Sequence, residues 1–293
     1  MIGRWSIGDI RVANIVEYFG PTHQPETVFP EFDRAAFSQR EDELPPGHWY
    51  PHMDRFVIGI QLWVVFAPPN VIVVDTGVGN GKPRSAARMN RLNTLVPAWL
   101  EAAGVTPDMV THVVMTHLHA DHVGWNTVLE GDRWVPTFPN ARYLMPKRDF
   151  EYFRQLSEAG GAAKDPSFTD SVLPIVQAGL ADFIDGQTEV ADCLQVEDAR
   201  GHTPGQVNYW LHSCGEVGVF SADIFHHPVQ ILHPGLNTAF CVLPDEAKAM
   251  RLKFLNEASR TDALVMPCHF PPPHCGFIRR QGDVFAYEPA ATR

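Results

Sequence analysis

The sequence lacks the features that would mark a disulfide scaffold, a membrane span or a nucleic-acid binder. Its five cysteines (193, 214, 241, 268 and 275) are odd in number and none forms a Cys-x-x-Cys pair. A disulfide framework is therefore not expected, and a reducing, cytoplasmic setting is the simpler reading. Basic residues are scarce, 23 Lys and Arg against 34 Asp and Glu, for a formal net charge of -11. Phosphate backbones bind to basic faces, so nucleic acid is not an expected partner. Long apolar runs are also missing. The most apolar stretch, Phe56 to Val74, is interrupted by Pro68-Pro69-Asn70. It reads as two strands joined by a turn, not as a membrane span. The opening residues Met1 to Asp9 contain no apolar leader core.

What is present is 293 residues with 45% hydrophobic and 19% charged content. That is the balance of a globular protein and is ample for a core, and we expect one domain over residues 1–293. Histidine is abundant, at 14 residues. The densest group is Thr116-His117-Leu118-His119-Ala120-Asp121-His122. The apolar run Val113-Val114-Met115 before it reads as the end of a buried strand, and Gly124 and Asn126 follow closely. The cluster is thus expected on a loop at a strand end, where open α/β sheets place chemistry. His117 and His119, two apart, can point the same way from extended chain. Asp121 and His122 follow a turn and can face a neighbouring position. This spacing suits two adjacent metal ions, and imidazole with carboxylate suits zinc. A polar loop that merely carries histidines is the competing explanation; three His and one Asp in this pattern argue against it. Two divalent ions would also offset about four of the negative charges.

Along the chain, Ile10 to Tyr18 reads as a strand. Residues 19–51 read as an irregular wrapping segment whose Phe29, Phe32, Trp49 and Tyr50 either reach a pocket or anchor the loop. Phe56 to Phe66 and Val71 to Val74 read as adjacent buried strands, leading into Asp75-Thr76-Gly77. Pro83 to Ala103 has helical composition divided by Pro97. Thr111 to Met115 is the strand feeding the cluster, Val123 to Glu130 a short helix or turn, and Trp134 to Ala141 a proline-punctuated loop. Arg142 to Met145 reads as a strand. Lys147 to Glu158 and Ser167 to Ala178 read as helices separated by Gly160-Gly161. They form a helical insertion over residues 147–180 that is either a pocket wall or a structural crossover. Strands are expected at Leu194 to Glu197, Val207 to His212, Val217 to Ser221, Ala263 to Met266, Gly276 to Arg279 and Val284 to Tyr287, with a helix from Pro244 to Ser259. Strand ends then deliver His117, His202, Asp223 and His269 to one sheet edge.

The motif His117-x-His119-x-Asp121-His122, with Gly201-His202-Thr203-Pro204-Gly205, Ser221-Ala222-Asp223 and Cys268-His269-Phe270-Pro271, resembles the metallo-β-lactamase-fold hydrolases over roughly residues 56 to 287. The resemblance implies an αββα sandwich of two mixed β-sheets flanked by helices. It implies that His117, His119 and His202 hold one metal, that Asp121, His122 and His269 hold a second, and that Asp223 bridges the two. Asp75 would brace the metal loop by hydrogen bonds; a plain turn cap is the alternative. The implied activity is hydrolysis, in which a metal-bridging hydroxide attacks a lactone, ester or phosphotriester. Asp121 would orient that hydroxide and pass a proton to the leaving group. The expected cofactors are two divalent ions, Zn2+ foremost, with Mn, Fe or Co able to take the same ligands.

A bridging Asp223 argues against the β-lactamases themselves, and the absence of a His-x-Glu-x-Asp start argues against the flavodiiron oxidases. His269-Phe270-Pro271-Pro272-Pro273 and Asp223-Ile224-Phe225-His226-His227 resemble the lactonase and methyl-parathion-hydrolase-like branch. A glyoxalase II-like thioesterase and a mononuclear-iron persulfide dioxygenase stay open as alternatives, as does a metal-dependent binding protein, against which Asp121 speaks. Quorum-quenching lactonases carry a Tyr three residues after the bridging Asp; here His226 stands there, which argues against a homoserine-lactone substrate. His226 either donates to the leaving oxygen or, like His227, lines the pocket or faces solvent. The aromatics Trp49, Trp125, Trp134, Phe150 and Phe153 point to a small, apolar substrate. The branch resemblance also implies a homodimer.

Overall fold

A strand buried at almost every position has to be covered on both faces. The segment Arg55–Ala67 is such a strand, buried from Phe56 through Val65. Its Trp63 and Val65 face one core, and its Leu62 and Val64 face another. That alternation makes it the centre of a layered molecule. The computed structural model describes residues 2–160, 165–186 and 188–291.

In chain order the first half contributes strands β1 (Ile2–Ile7), β2 (Ile10–His23), β3 (Trp49–Tyr50), β4 (Arg55–Ala67), β5 (Asn70–Val74), β6 (His112–Val114), β7 (Thr127–Glu130), β8 (Arg133–Pro136), β9 (Arg142–Pro146) and β10 (Ala181–Ile184). Its helices are α1 (Pro25–Val28), α2 (Arg34–Ser38), α3 (Val96–Ala102), α4 (Lys147–Glu158) and α5 (Leu173–Gln177). The second half contributes β11 (Glu189–Val190), β12 (Leu194–Asp198), β13 (Val207–Ser213), β14 (Glu216–Phe220), β15 (Leu264–Met266), β16 (Gly276–Gln281) and β17 (Val284–Pro289), with α6 (Val229–Leu232) and α7 (Pro244–Thr261).

The first sheet runs β1-β2-β4-β5-β6-β9-β10, with β3 paired to β4. It is antiparallel from β1 to β5 and parallel from β5 to β10. The second runs β11 to β17 in sequence order, and its parallel pair is β14–β15, linked through α7. Both sheets are therefore mixed. Val65, Ile72 and Val114 of the first pack against Tyr209, Leu211, Phe220 and Met266 of the second. The outer face of the first sheet is covered by Val96 and Leu100 of α3 with Phe168, Val172 and Ile175. Phe254, Leu255 and Ala258 of α7 cover the outer face of the second. The result is an αββα sandwich, the expected class.

Several local expectations are corrected. Strand ends converge at the shared end of two facing sheets, not at the edge of one. β2 continues past Tyr18 to His23, with register shifts at Val16/Tyr18 and Pro21/His23. Residues 83–95 form a loop with a single 3-10 turn at Ala87–Met89. Side chains hold that loop out of helix: Asn90 Oδ1 accepts the Arg84 N–H, and Asn80 Oδ1 accepts the Thr94 N–H. Pro97 lies in the first turn of α3 and starts a helix instead of dividing one. Residues 134–136, expected as loop, belong to β8 and pair with β7 as a hairpin. In the helical insertion a π-turn (Phe168–Val172) runs into α5. Gly161 of the expected Gly160-Gly161 break lies outside the described residues. The aromatics of 19–51 do not reach the pocket described below. Phe32, Phe37 and Trp49 pack around Phe56 at 5.0–5.7 Å between ring centroids, and Phe29 lies 6.0 Å from it. Among the described residues no helix is long and apolar enough to cross a membrane.

Two buried histidines, His48 and His274, are held neutral. His48 Nε2–H donates to the Pro272 carbonyl (3.0 Å), and His274 Nδ1–H donates to that of Phe270 (2.9 Å). Burial lowers both imidazoles to about 4 from an ordinary 6.5. The unfolded chain thus binds protons that the folded chain refuses, and stability is lost as pH falls from about 6.5 to about 4. Each histidine accounts for about 3 kcal/mol of that loss. Urea unfolding between pH 7.5 and 4.5 measures it. His48→Gln, which cannot charge, is expected to flatten the slope by one proton, and an unchanged slope would remove the assignment.

Candidate active site

The chain leaves β6 at Val114 and turns back on itself, with the His122 N–H bonded to the His119 carbonyl (3.0 Å). Asp75, at the end of β5, holds this turn from behind. Its carboxylate accepts the Thr116 N–H and hydroxyl, both at 2.8 Å, His122 Nδ1–H at 3.0 Å and the Cys268 thiol at 3.2 Å. Gly124 lets the next stretch lie directly on the Val78 backbone, since a Cβ there would come within 1.9 Å of the Val78 carbonyl carbon.

Four other segments close on the turn. His202 comes from the β12–β13 turn, Asp223 follows β14, and His269 follows β15. A residue not foreseen from sequence, Asp149 at the start of α4, ties the first loop to the His202 turn. It is fully buried and accepts the Leu118 N–H (3.1 Å), the Thr203 hydroxyl (2.9 Å) and the Gly205 N–H (2.6 Å). Burial pushes its carboxyl up to about 6 against the pull of those bonds. Gly205 must be glycine because a Cβ there would stand 2.4 Å from the Asp149 nitrogen. Glu17 was likewise missed. It is buried and accepts the N–H groups of Val78 (2.6 Å) and Gly79 (3.1 Å) and the indole N–H of Trp125 (2.7 Å).

The six other candidate metal ligands meet in two sets around Asp223. His117 Nε2 lies 3.1 Å from His119 Nδ1, which lies 2.8 Å from His202 Nε2. Asp223 Oδ2 faces this set, 3.1 Å from His202 Nε2 and 3.6 Å from His117 Nε2. Asp223 Oδ1 faces the other, 3.3 Å from His122 Nε2 and 3.1 Å from His269 Nε2. Asp121 completes that second set at 3.8 Å from His122 Nε2 and 3.9 Å from His269 Nε2. The carboxylate of Asp121 is 20% exposed and opens on a cavity, whereas Asp223 is buried.

The donor set fits divalent metal. Three ring nitrogens converging within about 3 Å cannot all be satisfied by shared protons, but tetrahedral ligands on zinc stand about 3.3 Å apart. His122 Nε2 and Asp223 Oδ1 are buried without a hydrogen-bond partner among the described residues. The outward nitrogens are held: His269 Nδ1–H donates to the Gly59 carbonyl (2.8 Å), His122 Nδ1–H to Asp75, and His202 Nδ1 is 3.7 Å from the Cys241 sulfur. Such outer contacts fix a ring's orientation and leave the inward lone pair for an ion. Burial alone would raise the Asp223 carboxyl. The imidazoles of His269, His122, His226 and His117 outweigh it and hold the carboxyl well below the usual range.

His226 and His227 part ways. His226 is buried on the cavity floor, 3.1 Å from Asp223 Oδ2, with its ring stacked on His269 at 5.0 Å and 14°. His227 neither lines the cavity nor faces solvent. Its ring lies tilted at 34° on Phe56, 4.4 Å away, and its Nε2–H donates to the His48 carbonyl. The cavity, about 270 Å³, is walled by Tyr18, His23, Ile58 and Ile60 of the first sheet, by the 85–89 turn and by Phe240. Of the aromatics expected there, Trp125 is committed to Glu17, Trp134 covers Lys82 Nζ at 3.6 Å, and Phe150 packs on Phe168 and Phe183. Phe153 stands edge-on to His119 at 5.4 Å.

An αββα sandwich with a His/Asp cluster at the shared end of its sheets defines a class of metal-binding folds. The family description Metallo-beta-lactamase superfamily matches residues 58–269, from β4 to His269, and the chain belongs to that superfamily. Over 115 residues it is 30% identical to the N-acyl homoserine lactonase AttM of Azorhizobium caulinodans; that match spans 38% of this chain and only 40% of the lactonase. Among solved structures, the chain is similar to the hydrolase AbOPH of the beta-lactamase superfamily, with a TM-score of 0.83, 19% identity and coverage of 100% of this chain and 98% of the other. It is also similar to AidC, a dizinc quorum-quenching lactonase, with a TM-score of 0.79, 21% identity and coverage of 100% and 98%. These two likenesses concern the fold.

Proposed function

We propose that the protein, read as one domain, is a metal-dependent hydrolase of small molecules. In this reading His117, His119 and His202 hold one divalent ion, Asp121, His122 and His269 hold a second, and Asp223 touches both. One observation carries it: the Asp223 carboxylate stands between two donor sets, 3.1 Å from His202 Nε2 on one side and 3.1 Å from His269 Nε2 on the other. Imidazole and carboxylate donors favour zinc, and Mn, Fe or Co accept the same set. Bound there, two divalent ions would acidify a shared water and polarise a substrate's carbonyl or phosphoryl oxygen.

The chain's own residues do the rest. Asp121 is the more exposed of the cluster's two cavity-lining carboxylates, so it is placed to take a proton at its carboxylate and return it to a leaving oxygen. His226 donates its Nε2–H to Asp223 Oδ2; a substrate oxygen seated above Asp223 would compete for the same proton. Asp75 and Asp149 hold the loops in register and stay out of contact with substrate. The substrate class is a lactone, ester or phosphotriester. The AttM and AidC likenesses raise lactones first, while His226 in place of the lactonases' Tyr argues against a homoserine lactone. The free state of all five cysteines supports a reducing compartment, which we take to be the cytoplasm.

The test is a hydrolysis panel of lactones, aryl esters and phosphotriesters on zinc- and manganese-loaded protein, with metal counted per chain. Two ions and turnover of at least one class are expected. Silence across all three classes would sink the hydrolase reading, and a single iron with persulfide oxidation would replace it.

A further inference from the structure

One stretch of the cavity wall is polar and unused by the chemistry above. Thr22 and His23 reach it from the end of β2, and Arg88 from the 3-10 turn Ala87–Met89. His23 is 7% exposed, and its Nε2 is buried with no hydrogen-bond partner among the described residues. The Thr22 hydroxyl sits 2.6 Å from His23 Nδ1. Either atom can be the donor of that bond, and Nε2 itself is closed off behind the wall. Burial, and after it the Arg88 charge, hold the imidazole at about 3 and therefore neutral.

Arg88 is exposed and lines the same cavity, and no ion pair or hydrogen bond ties it to another described residue. Its neighbour Arg84, by contrast, is locked to Asp170 at 2.7 Å. The other charged group of the wall outside the metal cluster, Asp165, accepts the Ser167 N–H at 2.9 Å. With two divalent ions set against Asp121 and Asp223, the cavity floor carries net positive charge. A free guanidinium in the wall, a neutral imidazole beside it and a positive floor together select an anion.

We propose that Arg88 forms a subsite for a carboxylate on the substrate. The preferred substrates are then lactones or esters that carry a free carboxylate away from the scissile bond. This inference rests on the hydrolase reading for its reaction, but the subsite can be tested apart from turnover. The first measurement is the ratio of kcat/KM for mono-4-nitrophenyl glutarate to that for 4-nitrophenyl pentanoate on zinc-loaded protein at pH 7.5. A charge-assisted contact predicts a preference of roughly tenfold or more for the glutarate ester. Arg88→Gln should bring the ratio near one, and Arg88→Lys should keep part of it. A ratio of one or less in the wild type, or equal loss on both esters in Arg88→Gln, overturns the proposal. The second measurement is calorimetric binding of glutarate and of pentanoate to the same zinc-loaded proteins. Each ligand has one carboxylate for the metal floor, and only glutarate has another for the subsite. Tighter glutarate binding that vanishes in Arg88→Gln supports the subsite even where neither ester is turned over and the hydrolase reading has failed. Equal binding of the two, or a glutarate preference that survives Arg88→Gln, overturns it.

Discussion

Asp223→Ala is expected to reduce the metal content from two divalent ions per chain to one or none, and to lower kcat/KM by roughly a thousandfold. The first effect follows from position. Asp223 is the one side chain whose oxygens stand at 3.1 Å from both His202 and His269. Its loss removes a ligand from each set and the negative charge around which His117, His122, His202, His226 and His269 converge. The second follows from charge stabilisation by bound metal, worth several kcal/mol, of which about 4 corresponds to the thousandfold. Metal analysis of purified protein and progress curves on the best panel substrate give both numbers. His52→Ala, at an exposed histidine remote from the cluster, serves as the control that keeps two ions. An Asp223→Ala protein that retains both ions and full activity would end the bridging assignment.

Asp149→Ala should cost about 4 kcal/mol of stability, because it strands three donors in a dry site. The Leu118 N–H, the Thr203 hydroxyl and the Gly205 N–H all end on this carboxylate. For a chain of this length such a loss lowers the melting temperature by about 10 °C. The same three bonds clamp the His117–His119 loop to the His202 turn, so zinc affinity should drop by about 10- to 100-fold. Asp149→Asn keeps one acceptor oxygen and should fall between wild type and Ala on both measures. Thermal unfolding of metal-free protein separates the stability term from the affinity term. A melting temperature unchanged within a degree would mean that the site relaxes around the missing carboxylate.

The sequence was readable where a signal is local. His117, His119, Asp121 and His122 fall within one short loop, and their spacing alone separates them into two donor groups. β4 and β5 were readable because a largely apolar run of strand length admits few structures, and Pro68-Pro69 marks the turn between them. The same reasoning failed at 83–95. The composition there is helical, but side-chain caps from Asn80 and Asn90, and the anchoring of Arg84 on Asp170 across 86 residues, override it. His226 and His227 show the limit most directly. They are adjacent and identical in type, yet one faces Asp223 and the other packs on Phe56.

By itself, then, the sequence determined which side chains could ligate metal, the layered α/β class, and the strand ends that carry His117, Asp223 and His269. The tertiary structure decided which remote groups stand behind and above them. Asp149 joins Leu118 to Gly205, and Glu17 reaches Trp125 across 108 residues. His23 and Arg88, far apart in the chain, share one cavity wall. Such pairings arise from the facing of two sheets and the path of the loops between them. No periodicity or short motif encodes that path, so a buried acceptor or a free guanidinium becomes visible only once its surroundings are known.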